Sequence, residues 1–121
     1  MGYQTRFKLS FLDGDANTPT TVWDYLAKKG LIDEDFAFEA DSNGRQGLEF
    51  VNKWYEHDAD MLLLSQKIPT VELRLEGEGE SQGDVWESRF LNGQIKHLRP
   101  RIVWPTEEEI AAMPWDNRLV R

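Results

Sequence analysis

The residue types that carry most enzyme and metal chemistry are scarce in this chain: of 121 residues none is cysteine and two are histidine, His57 and His97. That excludes disulfides, thiolate-ligated zinc, iron–sulfur clusters and thiol catalysis, and it leaves little imidazole for a His-rich metal site. Asp13, Asp15, Asn17 and Asp24 follow the one, three, five and twelve spacing of an EF-hand loop. Position six, where that loop turns on glycine, is Thr18, and position twelve is Asp instead of a bidentate Glu, so these residues read as a turn and a helix cap. The run Gly77-Glu78-Gly79-Glu80-Ser81-Gln82-Gly83-Asp84 offers backbone amides that suit an oxyanion. Its own carboxylates and that of Glu76 would repel the anion, and no Gly-Lys-Ser/Thr ending leads into a helix. It reads as a solvated connector that exposes Glu78 and Glu80 as an acidic contact surface. His57 beside Asp58 and Asp60 has the parts of a general base, yet a helix start explains the same acids through the positive end of the helix dipole. His97 falls opposite Ser88 with no acid close to it in sequence and reads as structural. Neither a metal nor a cofactor is expected.

Contact chemistry is better represented. Trp23, Trp54 and Trp86 fall on expected core faces, whereas Trp104 and Trp115 flank a short helix bracketed by Pro105 and Pro114, in a tail too short to bury both. Two readings fit them: the tail folds back onto the domain, or the two tryptophans form a partner-binding surface. The formal charge is -8, and residues 31–60 hold nine acids against two bases, with Asp33, Glu34 and Asp35 adjacent. Such a field repels phosphate backbones, so direct nucleic-acid binding is not expected, while a basic protein surface would be attracted. The cations Arg89, Lys96, Arg99 and Arg101 gather late in the chain and form an alternative ligand-binding set, able to hold phosphates while an aromatic stacks on a base.

These groups must be positioned by elements the sequence marks clearly in places. Tyr3, Thr5, Phe7, Leu9 and Phe11 alternate with polar residues at period two, which predicts a strand with one core face. Thr18 as cap, Pro19 at the first position and the stripe Val22, Trp23, Leu26, Ala27 predict a helix ending before Gly30. Phe36, Phe38 and Ala40 alternate toward a turn at Asp41–Gly44, and Leu48, Phe50 and Trp54 return, predicting a hairpin. Met61, Leu64 and Ile68 share a helical face that Pro69 ends. Val71, Leu73 and Leu75 predict a strand, and Val85–Leu91 predicts another, joined to a last strand by Asn92-Gly93 with Phe90 opposite Ile95 and Ser88 opposite His97. Thr106 and Glu109 form a capping box for a short helix. The order predicts one α+β domain over 1–121: a ferredoxin-like antiparallel sheet with two helices on one face, extended by a C-terminal hairpin and a helical tail over 103–121. No run is long and apolar enough to span a bilayer, and a cytoplasmic setting is expected.

Lys53-Trp54-Tyr55-Glu56-His57 with Met61, Ser65 and Pro69, then Leu75 to Glu80, Gly83-Asp84-Val85-Trp86, Phe90 and Asn92-Gly93, resembles a pattern in small proteins of phages and mobile elements. It is also loosely similar to the ferredoxin-like domains named after YubB. The resemblance covers about a third of the chain and implies an accessory phage protein, one that counters a host defence, in the host cytoplasm. The residues themselves point to a non-enzymatic protein that binds a protein partner through Asp33, Glu34, Asp35, Glu78, Glu80, Trp104 and Trp115. A nucleotide-sequestering protein, using the late cations in a cleft between copies of the chain, is the alternative.

Overall fold

Residues 4–12, 16–81, 83–101 and 103–115 are described by the computed structural model. In chain order the elements are β1 (Thr5–Leu12), α1 (Thr18–Lys28), β2 (Glu39–Ala40), β3 (Arg45–Asn52), α2 (His57–Lys67), β4 (Leu73–Gly79), β5 (Val85–Leu91), β6 (Gln94–Leu98) and α3 (Glu107–Ala112). The strands form one six-stranded sheet in the order β2-β3-β1-β4-β5-β6, antiparallel at every step. The protein is thus α+β, with a sheet wider than four strands. No helix among the described residues is long and apolar enough to cross a membrane.

Register turns the period-two pattern of β1 into a layer. Phe7 stands opposite Phe50 and Gly77, Leu9 opposite Leu48 and Leu75, and Phe11 opposite Leu73, which in turn faces Phe90. All of these apolar side chains are buried and share one core with Val22 and Leu26 of α1 and Met61 and Leu64 of α2, so both helices cover the same face. Each such Leu or Phe contributes roughly 1.5–3 kcal/mol relative to exposure. The other face is bare: Arg6, Lys8, Glu49, Glu76 and Glu78 are exposed there.

Several expectations shift. Asn17, not Thr18, is the N-cap of α1, and Thr18 is a buried first residue of the helix. Phe36 and Phe38 lie outside any strand, because the Trp23 indole donates to the Phe36 carbonyl at 2.8 Å and Phe38 packs edge-on against Phe11 at 5.2 Å, tying the segment to α1 and the strand end. Only Glu39 and Ala40 pair with β3. The acidic-glycine run is not all loop: β4 continues to Gly79, with Gly77 opposite Trp86 and Glu78 opposite Val85. Asp60 is no solvated dipole charge; it is buried, accepts from the Trp54 indole at 2.8 Å and pairs with Lys29 at 3.2 Å. The β5–β6 turn matches expectation, with positive φ at Asn92 (44°) and Gly93 (76°) as a type I′ turn requires. Phe90–Ile95 and Ser88–His97 are the observed cross-strand pairs. Tyr3, Asp13 and Asp15 lie outside the described residues, and Asp24 is exposed on α1.

Candidate functional site

The C-terminal segment folds locally without burying anything. Thr106 caps α3: its hydroxyl accepts from the Glu109 amide at 3.1 Å while the Glu109 carboxylate accepts from the Thr106 amide at 2.9 Å. The Thr106 backbone amide first, and then the Thr106 hydroxyl, hold the Glu109 carboxyl below its ordinary range. Glu107, Glu108 and Glu109 also sit at the positive end of the helix. A six-residue helix gains little from propensity alone, so the box is what defines it. No residue of α3 is buried, and around it Val103, Trp104, Met113 and Trp115 are exposed, Trp104 at 84% and Trp115 at 98%. Every described residue from Lys96 to Trp115 is exposed. Trp104 and Trp115 are therefore placed in solvent, not folded back onto the domain.

The acidic residues do not form one patch with this segment. Asp33, Glu34 and Asp35 occupy an exposed turn in which the Asp33 carboxylate accepts from the Asp35 amide at 2.9 Å. Glu78 is on the bare face of β4, opposite Arg6, and Glu80 accepts from the Gln4 amide at 3.0 Å. The late cations separate as well. Arg89 is held by Glu87 at 2.6 Å and lies 3.9 Å from Glu72, lining a cavity of about 450 Å³ with Lys96 opposite it in register. Arg99 lines a different cavity, 4.0 Å from Asp84, and Arg101 is exposed without lining either. No single basic pocket collects the four.

One cluster is only half visible in the sequence. His57 donates from Nδ1 to Asp58 at 2.8 Å, His97 Nε2 lies 3.9 Å from the other Asp58 oxygen, and His97 Nδ1 is hydrogen-bonded to Ser88 Oγ at 3.1 Å. Trp86 stacks on the His57 ring at 4.7 Å with 20° between planes. The order serine, imidazole, carboxylate is that of a nucleophile and its base, but Ser88 is 2% exposed and 3.9 Å exceeds a hydrogen bond. The cluster acts as a clasp between α2 and the β5–β6 hairpin. Hairpin pairing reveals half of it in the sequence; the packing of α2 supplies Asp58.

A second feature missed in the sequence is a cavity of about 440 Å³ on the bare face, between β1, β3 and residues 35–41, with Lys8, Ser10, Asp35 and Arg45 in its lining. Period-two alternation places Lys8 and Ser10 on that face, but only the β1–β3 register brings Arg45 beside them. Among the described residues no group of three or more His, Asp or Glu side chains is arranged to hold a metal ion. No family model, curated protein or solved structure matches the chain.

Proposed function

We propose that this protein acts by docking its C-terminal segment, Val103 to Trp115, into an apolar groove with a basic rim on a partner protein. The observation that supports this is the exposure of Val103, Trp104, Ile110, Met113 and Trp115 on a segment that buries none of its residues. Large aromatics supply most of the energy of a protein contact once they are desolvated. Glu107, Glu108 and Glu109 lie between the two tryptophans, and the net charge of -8 adds long-range attraction to a basic rim. Asp33, Glu34, Asp35, Glu78 and Glu80 contribute to that field as steering charges, with no contact of their own required.

The body that presents the segment is read as ferredoxin-like over β1 to β4, extended by the β5–β6 hairpin; the order β2-β3-β1-β4 with alternating helices supports this reading. The resemblance to phage and mobile-element proteins makes a host protein the class of partner and inhibition of a defence system the outcome. Within one chain Arg89 and Lys96 line one cavity, Arg99 another and Arg101 neither, so the alternative, nucleotide sequestration, requires a second copy of the chain to bring the four cations together.

The full chain and its Trp104→Ala/Trp115→Ala variant, immobilised as baits in bacterial lysate, test the reading. The wild type should retain a partner that the variant does not, at an unchanged melting temperature, and retention should fall as salt is raised. Equal retention by both baits, or none by either at low salt, refutes it.

A further inference from the structure

The bare-face cavity carries groups whose bonding capacity the chain leaves unused. Arg45 Nη1 is buried with no hydrogen-bond partner. Among the described residues, no carboxylate lies within 4.0 Å of the Arg45 or Lys8 side-chain nitrogens. The charges of Arg45 and Lys8 act on Asp41 from beyond ion-pair distance, and Asp41 spends one oxygen on the Asn43 and Arg45 backbone amides at 2.8 and 3.0 Å. Arg45 as a whole is half-buried and lines the cavity, so a cation with no ion partner in the chain is available to an acceptor from outside. Ser10, 1% exposed, adds a hydroxyl to the same wall. Gly47 leaves the floor open: a Cβ there would meet Lys8 Cε at 3.4 Å and Ser10 Cβ at 3.7 Å, ordinary contacts, and would take up cavity space.

Charge selects the ligand. Lys8 and Arg45 are the two cations of the lining, against the four carboxylates Asp35, Glu39, Asp41 and Glu49. A simple anion would find Arg45 but meet net negative charge. A simple cation would suit the carboxylates and leave Arg45 and Lys8 without a counter-ion. A molecule carrying both signs a few bonds apart satisfies both, and about 440 Å³ accommodates one of metabolite size. We infer that this cavity binds a small zwitterion of the free α-amino-acid class, its carboxylate on Arg45 and Lys8 and its ammonium among Asp35, Glu39 and Glu49. The site is independent of the C-terminal segment.

Calorimetric titration and thermal melts of the full chain with each common L-amino acid, with inorganic phosphate and spermidine as single-sign controls, test this. At least one amino acid should bind and raise the melting temperature, more than either control does. Arg45→Gln should weaken that binding about tenfold or more, the loss expected for a charge-assisted hydrogen bond. Gly47→Val should abolish it by filling the floor while the unliganded melting temperature holds, which keeps the test decisive if Arg45→Gln folds poorly. Absence of binding by every amino acid overturns the inference. So does phosphate or spermidine binding as tightly as any of them, or binding that survives Gly47→Val.

Discussion

Gly77→Ala probes the contact that makes a strand out of the acidic-glycine run. A Cβ at Gly77 would overlap Trp86 Cε2 and Cζ2 and come within 2.7 Å of Nε1. The indole would have to retreat by roughly 1 Å to restore normal contact. It is not free to do so, since it stacks on His57 at 4.7 Å and meets Phe7 edge-on at 6.1 Å. Each aromatic pair is worth about 0.5–1.5 kcal/mol beyond its buried area, so losing both costs roughly 1–3 kcal/mol. Replacing a strand glycine returns about 0.5 kcal/mol through the unfolded chain. The net expectation is a loss of about 1–2 kcal/mol, read from urea unfolding followed by far-ultraviolet circular dichroism. The decisive comparison is the same substitution in a Trp86→Ala background, where the added methyl meets no ring and should be neutral or slightly stabilising. A coupling of about 1 kcal/mol or more between the two sites is expected. Additive effects would refute the account of Gly77 as the seat of the indole.

Other expectations follow from single contacts. Trp54→Phe keeps most of the buried ring but strips Asp60 of its indole donor, leaving Lys29 as its ion partner, and should cost about 1–3 kcal/mol by chemical denaturation. Gly93→Val places a β-branched residue at φ 76° with its Cβ 2.8 Å from Gln66 Nε2, and should cost about 1 kcal/mol or more in the same assay. The Asp41 carboxyl is held below its ordinary range by the amides of Arg45 and then Asn43, so its contribution to stability is present above the unfolded value and is lost as pH falls through the lower folded value. A carbon-detected NMR titration should find it depressed, and Asp41→Ala should remove that part of the acid limb of a melting-temperature profile.

What the sequence reveals is governed by whether a pattern has one physical cause. β1, the Asn92-Gly93 turn and the Thr106–Glu109 box are each over-determined by local chemistry, and each is found as read. Phe36 and Phe38 alternate like a strand, yet their spacing serves Trp23 and Phe11, contacts that depend on how α1 lies on the sheet. Glycine and glutamate in alternation imitate a loop because glycine usually marks flexibility; at position 77 it marks a close approach by Trp86, which only β4–β5 register discloses. Asp60 fits two explanations at a helix start, and burial selects the one that involves Trp54 and Lys29. At the candidate sites, Trp104 and Trp115 stand apart in the sequence because prolines bracket their segment, but the sequence fits a folded-back tail equally, and only the structure places them in solvent. Lys8 and Arg45 are not legible together, being 37 positions apart in the chain (45 − 8) and joined only by register.

The distribution of used and unused polar groups separates structural from functional surfaces. α2 is held by Asp60 with Trp54 and Lys29, by Ser65 Oγ accepting from the Gly93 amide at 2.8 Å, and by the His57 ring stacked on Trp86, with His97 Nε2 3.9 Å from Asp58. Both histidines and the buried serines of that side are thereby occupied in attachment. Three buried side-chain atoms among the described residues have no partner: Tyr25 Oη, Arg45 Nη1 and Arg74 Nε. Burial raises the Tyr25 hydroxyl pKa, helped by Asp60, so that group stays neutral and its isolation is the least costly of the three. The two guanidinium groups belong to strands that flank β1 on its bare face, with Arg74 opposite Ser10. Arg74 does not line the 440 Å³ cavity, whereas Arg45 does. Arg74→Gln should therefore leave amino-acid binding within about twofold of the wild type, the scale of a substitution that makes no contact with the ligand. A loss as large as that of Arg45→Gln would show that general positive potential across the sheet, and not the Arg45 contact, holds the ligand.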